Sequence, residues 1–343
     1  MKRVVVAILN YNGKDFLQKF LPGIIQYSSA VADIVVIDNA STDQSVQLLT
    51  SDFPSVKIIR LAENTGYAGG YNRGLKELNY EFLLLLNSDI EVRQGWLEPL
   101  VMYMDKNLTV GSVQPKILSY KNQSQFEHAG ACGGFIDRFG YPFCRGRIMD
   151  NSEEDKGQYN TTMKIFWSTG ACMMVRKQAF DKAGGFDDDF FAHMEEIDLC
   201  WRMQYLGFEI GVEPASVVYH VGGGTLSYLN PRKTYLNFRN NLFLIHKNYF
   251  DGNLCWFVIR RMKIDGIAAF MFLIYGKPKH FWAVFKAHMH YYGKLSTLKK
   301  KRRVVKQMVQ HKTLTGWYKR SIVWQYFIKK KRKFSEIEEQ LGN

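Results

Sequence analysis

The sequence has 343 residues, of which 46% are hydrophobic and 15% aromatic. A chain of this length and composition can bury a large core, so a disordered protein and a small disulfide-stapled scaffold are both excluded. The formal net charge of +14 is concentrated in one part of the chain, because residues 277–333 contain 18 basic and no acidic residues. The residues before this segment are close to neutral as a whole.

Cysteine usage and the apolar segments bear on the cellular compartment. The five cysteines are odd in number and include no CxxC pair, which argues against a disulfide framework and against a structural zinc site. The apolar run at residues 4–9 is too short for the hydrophobic part of a signal peptide, and no stretch reaches the roughly 18 apolar residues that a membrane span requires. These features predict reduced thiols and a cytoplasmic location.

Short apolar runs in the first part of the chain predict four buried strands, at residues 4–9, 34–37, 56–61 and 82–86. Stretches with apolar side chains at helical spacing lie between them, for example at residues 16–24 and 46–49. This alternation predicts an α/β fold with a mostly parallel, doubly wound sheet and helices on both faces. Ligands of such sheets bind beyond the carboxyl ends of the strands, so candidate functional residues should follow each run.

The rest of the chain is less regular. A polar segment at residues 121–162 predicts loops, and residues 169–175 and 208–219 predict strands that flank a helix beginning near Glu195. After about residue 245 the pattern becomes aromatic and basic. We therefore expect an α/β domain at residues 1–245 and an appended region at residues 246–343.

Two polar turns follow predicted strands. Asp38 in the first turn could accept hydrogen bonds from a nucleoside, although an ordinary strand-to-helix turn with Ser41 or Thr42 as its N-cap is the alternative. The second turn, residues 64–74, is glycine-rich, so its backbone could approach a phosphate closely. Its glycine spacing differs from GxGxxG and does not support a nicotinamide cofactor. A tight helix entry is the alternative here.

Candidate metal ligands end two other strands. Asp89, in the turn Asn87-Ser88-Asp89, could bind a divalent cation that neutralises a diphosphate. His220 precedes a glycine-rich loop at residues 222–225 and could complete the metal shell as a neutral imidazole. A common Asn-Ser-Asp turn and a hydrogen-bonded histidine are the alternatives.

A pair of carboxylates lies near the start of the helix predicted at Glu195. The amides of a helix start stabilise an anion, which suits Glu195 or Glu196 to a base that takes a hydroxyl proton. A charged first turn is the alternative. Asp198 and Arg202, four residues apart, predict a surface ion pair.

Taken in this order, the motifs resemble the inverting family 2 glycosyltransferases of the GT-A fold, particularly the branch of bacterial rhamnosyl- and galactofuranosyltransferases. The resemblance covers about residues 1–245. The segments that carry it are residues 9–12, 36–43, 64–74, 87–89, 170–171, 185–187 and 195–202, together with His220.

The resemblance implies roles for individual residues. Asp38 would contact the nucleotide base, Asp89 and His220 would hold Mg²⁺ or Mn²⁺ on the diphosphate, and Glu196, or Glu195 in its place, would be the catalytic base. The implied nucleotide-sugar-binding residues are Asn10, Asn12, Asp38, Asn39, Ser41, Asn64, Gly66, Ala68, Gly70, Asn72, Asn87, Ser88, Asp89 and Arg239. Two positions depart from the family pattern: Asn87 replaces the first carboxylate of the common Asp-x-Asp metal motif, and Glu196 replaces the commoner aspartate.

The implied reaction is a metal-assisted single displacement with inversion at the anomeric carbon. The donor would be a UDP-, dTDP- or GDP-linked sugar, and the acceptor a glycan or glycolipid of cell-surface polysaccharide such as lipopolysaccharide. Two other functions compete with it: a nucleotidyltransferase acting on a sugar phosphate, and a non-enzymatic nucleic-acid-binding protein that uses the basic tail.

The appended region alternates short apolar blocks with lysine and arginine. This pattern predicts amphipathic helices that lie on an anionic membrane surface, and hence a peripheral protein on the inner face of the cell membrane. Basic clusters such as residues 299–303 could instead bind nucleic acid, and a helical hairpin packed on the α/β domain is the third possibility. The large apolar content favours the membrane over nucleic acid.

Overall fold

The computed structural model describes residues 2–127, 130–222 and 230–341. Most of the predicted loop at residues 222–225 therefore lies outside the described residues. The first elements in chain order are β1 (Val4–Asn10), α1 (Lys14–Ser28), β2 (Ala32–Asp38), α2 (Ser45–Asp52), β3 (Lys57–Arg60), α3 (Gly66–Gly74), β4 (Phe82–Asn87), β5 (Ile90–Val92), α4 (Glu98–Lys106) and β6 (Val110–Ser119). They continue with β7 (Gly134–Asp137), β8 (Pro142–Cys144), β9 (Arg147–Ile148), β10 (Asn151–Ser152), β11 (Met163–Lys164), β12 (Cys172–Arg176), α5 (Lys177–Lys182), α6 (Glu195–Tyr205), β13 (Glu209–His220), α7 (Pro231–Asn248), α8 (Leu254–Ile274), α9 (Pro278–Gly293), α10 (Leu295–Met308), β14 (Trp317–Tyr318) and α11 (Ile322–Phe327).

A nine-stranded sheet forms the centre of the molecule, in the order β11-β13-β6-β12-β4-β1-β2-β3 with β5 paired to β13. The four strands predicted first, β1 to β4, are parallel to one another. The α/β prediction is confirmed, although β12 enters antiparallel between β4 and β6 and makes the sheet mixed.

Helices cover both faces of this sheet because successive side chains of a strand point in opposite directions. Val4, Val6 and Ile8 of β1 join a core with residues of α1, α2 and α4. Val5 and Ala7, from the same strand, join the core on the other face with residues of α3, α5 and α6. Every one of these five side chains is at most 2% exposed. Burial of β1 on both faces of the sheet therefore explains its near-continuous apolar run.

The strand register brings the polar strand ends to one edge of the sheet. Asn10 pairs with Asp38 across β1 and β2, and Leu9 pairs with Asn87 across β1 and β4. The residues that follow β1, β2 and β4 therefore share the same edge, as the sequence predicted.

The polar segment at residues 121–162 differs from its prediction as loops. It contains β7 to β10, which form a second sheet in the order β10-β9-β8-β7-β14. These strands are only two to four residues long, too short for a period of two to show in the sequence. The fifth strand, β14, comes from the appended region and pairs with β7.

The appended region is helical, as predicted, through α8, α9 and α10. Helix α7 crosses residue 245 without a break and packs against α9 and α10. The division at residue 245 stays a prediction, since the described contacts run across it. Within the described part of the chain, none of the helices combines the length and apolarity needed to cross a membrane.

Candidate active site

The turn after β2 is held by the side chains that end β1. Asn10 Nδ2 donates to Asp38 Oδ1 at 3.3 Å and to Ser41 Oγ at 3.1 Å. The second carboxylate oxygen of Asp38 accepts from the Ser41 amide at 3.1 Å, and Asn12 Oδ1 accepts from the Thr42 amide at 2.7 Å. Asp38 is buried, and each of its oxygens keeps a second lone pair for a ligand donor. The two predicted motifs thus form one preorganised polar corner.

The start of α3 lies beside this corner. Asn39 Nδ2 donates to Asn64 Oδ1 at 3.1 Å and to the Gly66 carbonyl at 3.0 Å. Gly66 has a φ of +72°, and a Cβ at this position would lie 2.4 Å from the Phe191 carbonyl oxygen. A Cβ at Gly70 would lie 2.7 Å from Leu9 Cδ1. These two glycines are therefore required by close contacts within the protein, as expected for a tight helix entry.

A loop at residues 187–194 closes over the start of α3, and we call it the 187–194 loop. The amides of Tyr67 and Ala68 donate to the Phe191 carbonyl at 2.7 and 3.4 Å. Phe191, His193 and Met194 have φ values of 63°, 70° and 74°, a backbone region that costs a non-glycine residue on the order of 1 kcal/mol or more. The surrounding contacts must therefore hold this loop in place.

Helix α7 supplies those contacts. Asn240 Nδ2 donates to the carbonyls of Phe190, Ala192 and His193 at 2.9, 2.8 and 2.7 Å. Arg239 Nη2 donates to the carbonyls of Asp189 and Phe190 at 2.9 and 3.0 Å. The arginine that the resemblance placed near a diphosphate thus contacts the 187–194 loop in this structure.

Glu195 and Glu196 follow the loop directly, at the first two positions of α6. Burial raises the pKa of Glu196 to about 7, although backbone hydrogen bonds at the helix start act in the opposite direction. Burial, and then the neighbouring Glu196, raise the pKa of Glu195 well above its usual range. The expected stabilisation of the anion by the helix start is therefore smaller than the cost of desolvation. A carboxylate such as Glu196 can accept a proton near neutral pH.

Some buried polar atoms near Tyr67 and Phe191 in the chain have no hydrogen-bond partner. Among the residues that the structure describes, four of the nine such side-chain atoms are Thr65 Oγ1, His193 Nε2, Glu195 Oε2 and Glu196 Oε2. Native proteins leave few buried polar atoms without a partner, and each one calls for an explanation. Thr65 and His193 carried no signal in the sequence that separated them from ordinary loop residues.

Asp89 and His220 meet as predicted, and Glu127 joins them. His220 Nε2 lies 3.2 Å from Asp89 Oδ1, and His220 Nδ1 lies 3.1 Å from Glu127 Oε2. Although burial disfavours the imidazolium, hydrogen bonds to both carboxylates raise the pKa of His220 to about 10. Without a cation the ring is therefore protonated at neutral pH, unlike the neutral imidazole predicted from the sequence, and a cation would have to displace that proton. Glu127 lies in the polar segment that was predicted to be looped, where the sequence did not distinguish it from other acidic residues.

The spacing of Asp89 and His220 fits two adjacent ligands of one divalent cation. Neighbouring ligands of an octahedral ion with bonds of about 2.1 Å lie about 3 Å apart, close to the 3.2 Å found here. Glu127, which contacts His220 Nδ1, would fix the orientation of the imidazole ring, as carboxylates next to metal-bound histidines do. No group of three or more potential ligands was found within residues 2–127, 130–222 and 230–341, so a bound ion would need further ligands from its substrate or from water.

Gly170 and Ala171 accept hydrogen bonds from two of the predicted motifs. The Tyr67 hydroxyl donates to the Gly170 carbonyl at 2.6 Å, and the Asn87 amide donates to the Ala171 carbonyl at 2.9 Å. Residues 170–171 therefore connect the start of α3 to the end of β4.

Comparison with known proteins identifies the family. Residues 5–184, more than half of the chain, match the family described as Glycosyl transferase family 2. The chain belongs to this family. It is 25% identical over 290 residues to a low-salt glycan biosynthesis hexosyltransferase of Haloferax volcanii, covering 78% of this chain and 88% of the relative. It is 24% identical over 237 residues to an N-acetylglucosaminyl-diphospho-decaprenol L-rhamnosyltransferase of Mycobacterium tuberculosis, covering 64% and 76%.

Solved structures agree on the fold of this glycosyltransferase. The structure of GalNAc-T7 with UDP, GalNAc and Mn²⁺ superposes with a TM-score of 0.63 at 15% identity, over 99% of this chain and 58% of that chain. This chain thus spans less than two thirds of that protein. A mannosyltransferase from Pyrobaculum calidifontis in complex with GDP-Man and Mn²⁺ gives a TM-score of 0.52 at 14% identity, over 90% and 86%. The GT-A fold predicted from the resemblance is confirmed.

The remaining predicted residues of the glycosyltransferase lie near the same edge. Asn72 Nδ2 donates to the Phe186 carbonyl at 2.8 Å and to Asp188 Oδ1 at 2.6 Å, so it anchors the chain just before the 187–194 loop. Ser88 Oγ lies 3.3 Å from where a Cβ on Gly13 would be, next to the end of β1. Ala68 is fully buried and reaches the site through its backbone amide.

The prediction of a surface ion pair at Asp198 and Arg202 is wrong. Asp198 Oδ2 accepts from Arg202 Nη2 at 2.7 Å, and the two side chains are 0% and 5% exposed. Lys247 and Asn248 of α7 also donate to the Asp198 carboxylate, at 2.9 and 2.7 Å. The pair is buried because α7 covers this face of α6, which the spacing within α6 alone did not show.

Proposed function

We propose that this glycosyltransferase moves a hexose from a nucleoside-diphosphate sugar to a hydroxyl of a glycan acceptor, with inversion and with Glu196 as the base. The observation that carries the proposal is the buried Glu196 carboxylate at the start of α6, whose Oε2 has no partner among the described residues and whose pKa is raised to about 7. Such a group can take a proton from an alcohol close to physiological pH.

The reaction follows as a single displacement. The acceptor oxygen forms a bond to the anomeric carbon while its proton passes to Glu196. The bond from that carbon to the diphosphate oxygen breaks, and the nucleoside diphosphate leaves with the bonding electrons. Burial, and then the neighbouring Glu196, raise the pKa of Glu195 well above its usual range; when protonated, Glu195 can donate a hydrogen bond to a sugar oxygen and adds no second negative charge beside Glu196.

We propose Mg²⁺ or Mn²⁺ as the cofactor, with Asp89 and His220 as its protein ligands. Both structural neighbours named above were solved with Mn²⁺, and the spacing of Asp89 and His220 fits a shared ion. The cation, when bound, would offset the negative charge that develops on the departing diphosphate. Asp38 and the residues that frame α3 would receive the nucleoside and the sugar.

The relatives and the structural neighbours guide the choice of substrates. The neighbours bind UDP or GDP-Man, and one relative acts on a diphospho-decaprenol-linked sugar. We propose a UDP-, dTDP- or GDP-linked donor and a lipid-linked glycan acceptor, in the synthesis of a cell-surface polysaccharide such as lipopolysaccharide.

We further propose that α8 and α9 bind an anionic membrane surface on its cytoplasmic side. Large apolar side chains of these helices are between 49% and 66% exposed: Trp256, Ile267, Phe270, Ile274, Trp282, Phe285 and Tyr292. Exposed basic residues lie among them, including Arg260, Lys263, Lys279 and Lys286. Aromatic side chains beside cations suit the interface of an anionic bilayer, where each basic residue contributes roughly 1 kcal/mol.

A product screen tests the proposed reaction. Wild-type protein and Glu196→Gln are incubated with UDP-, dTDP- and GDP-sugars, Mg²⁺ or Mn²⁺ and a membrane extract, and nucleoside diphosphate and pyrophosphate are both measured. Release of nucleoside diphosphate by the wild type but not by Glu196→Gln supports the proposal. Release of pyrophosphate would indicate a nucleotidyltransferase, and no release with any donor would overturn the glycosyl transfer proposed here.

A further inference from the structure

The 187–194 loop connects the two halves of the proposed site. Its Phe191 carbonyl accepts hydrogen bonds from the first turn of α3, on the donor side, and its last residue leads directly into Glu195 and Glu196. Any change in the conformation of this loop therefore moves the proposed base relative to the donor.

Helix α10 of the appended region reaches the first residues of this loop through Lys301. Lys301 of α10 donates to Asp187 Oδ1, and to Asp189 Oδ2 at 2.6 Å. Lys301 is 31% exposed, Asp187 9% and Asp189 35%. The contact spans 114 positions in the chain, so no local sequence pattern predicts it.

This contact is the outer end of a buried ionic network. Lys247 donates to Asp187 Oδ2 at 2.6 Å and to Asp198 at 2.9 Å, and Asp198 also binds Arg202. Burial disfavours the Asp187 carboxylate, but the charges of Lys247 and Lys301 outweigh it and hold the pKa of Asp187 well below its usual value. Asp187 therefore remains ionised at neutral pH, and its contacts with the two lysines are ion pairs.

Packing does not fix this end of the loop by itself. A cavity of about 710 Å³ lies between the loop and α10, and its lining includes Asn72, Asp187, Asp188, Lys301 and Met308. With open space on this side, the ion pairs of Lys301 are the direct link from α10 to the loop. At its other end the loop is held by α7 through Asn240.

We propose that Lys301 is a positioning residue for the glycosyl transfer: by binding Asp187 and Asp189 it holds the 187–194 loop and so places Glu196 against the donor site. The inference rests on the proposed function, and it assigns to the appended region a part in catalysis besides membrane binding. Residues 1–245 alone would then lack one support of the site. Misplacing a reacting group by about 1 Å can lower a rate about 100-fold, which makes a remote ion pair relevant to turnover.

The test compares Lys301→Met with Lys300→Met in the full-length protein. Lys300 is an exposed neighbour on the same helix, so both variants lose the same charge from α10. We expect kcat to fall between tenfold and 100-fold in Lys301→Met, with KM for the donor changed less than threefold. Lys301→Arg should retain most of the turnover. Equal kcat values in Lys301→Met and Lys300→Met would overturn the proposal.

Hydrogen exchange of the ligand-free protein gives a readout that needs no activity. Amides of Tyr67 and Ala68 should exchange faster in Lys301→Met than in Lys300→Met, because the Phe191 carbonyl that accepts from them is held less firmly. Unchanged exchange would contradict the role of Lys301 in the loop. If the wild type itself transfers no sugar, the proposed function fails, while exchange still decides whether Lys301 holds the loop.

A milder variant covers the case in which Lys301→Met does not fold. Asp189 is partly exposed, so Asp189→Asn removes one partner of Lys301 at the surface. Asp189→Asn alone should then lower kcat without changing KM for the donor more than about threefold. Where Lys301→Met does fold, the second substitution of a double-mutant cycle should cost little kcat once the first is present, because both act through one contact. Fully additive losses in the cycle would count against the proposal.

Discussion

The Tyr67 amide donates a 2.7 Å hydrogen bond to the Phe191 carbonyl, and this bond joins the first turn of α3 to the loop that precedes Glu195. The two residues are 124 positions apart in the chain. The hydrogen bond thereby ties the start of α3 to the chain segment that leads into the buried carboxylates of α6. The predictions below probe this junction and the surfaces that support it.

Replacing Glu196 should abolish transfer without abolishing donor binding. Glu196→Gln keeps the shape of the side chain but cannot take a proton, and positioned base catalysis contributes about 10²- to 10⁴-fold. We expect kcat to fall by that factor, with the dissociation constant for the nucleoside diphosphate, measured by calorimetry, unchanged within about threefold. Glu98→Gln, at an exposed position of α4, is the control. Turnover close to wild type in Glu196→Gln would exclude Glu196 as the base.

The transfer rate should rise with pH through neutrality. The pKa of Glu196 is raised to about 7 by burial, so the group is protonated and inactive as a base below that pH and ionised above it. A plot of log kcat against pH should climb with unit slope below about 7 and level off above it. A profile that is already flat from pH 5.5 upward would show that a group with an ordinary carboxylate pKa, or none, acts as the base.

Asn240 should be needed for both stability and activity. Asn240→Ala removes the side-chain donor to the Ala192 and His193 carbonyls and one of the donors to the Phe190 carbonyl, which should lower the free energy of unfolding by about 2–3 kcal/mol. Denaturant titration measures this change, and kcat should fall at least tenfold in protein that is still folded. Asn237→Ala, one turn earlier on a partly exposed part of α7, should change neither quantity appreciably.

Metal removal and the loss of Glu127 should have related effects. Chelation should stop transfer, and added Mn²⁺ or Mg²⁺ should restore it. Glu127→Gln loses the charge that orients His220, so the Mn²⁺ concentration for half-maximal activity should rise about 10- to 100-fold. Full activity in the presence of excess chelator would contradict the assignment of Asp89 and His220.

The apolar side chains of α8 and α9 should drive membrane binding. The double variant Phe270→Ser and Trp282→Ser should bind vesicles containing anionic lipid at least about tenfold more weakly, since each aromatic side chain contributes about 1.5–3 kcal/mol when buried. Flotation with anionic and with neutral vesicles measures this. Leu108→Ser, at a position 76% exposed in the α/β domain, is the control. No retention of the wild type on anionic vesicles, or equal retention of all variants, would refute the proposal that α8 and α9 bind a membrane surface.

Several features of the fold were predictable because they depend on local patterns. The apolar runs of β1 to β4 and the helical spacing of α1 are patterns of residues close together in the sequence. Because the strands are parallel, their polar carboxyl ends lie at a single edge of the sheet. The strands β7 to β10 were missed because two to four residues give no periodic signal. Asp198 and Arg202 were misplaced on the surface because the spacing within one helix does not show what packs on it.

The sequence by itself determined the α/β class, the family, and the candidates Asp38, Asp89, Glu196 and His220, since each follows from short-range pattern and motif order. Only the tertiary structure decided that Glu127 joins His220, that the carboxylates of α6 are desolvated, and that Lys301 reaches Asp187. The physical reason is that pKa values, ion pairs and strained loops depend on groups brought together from distant parts of the chain. Burial by those distant groups changes the energy of a charged side chain more than its neighbours in sequence do.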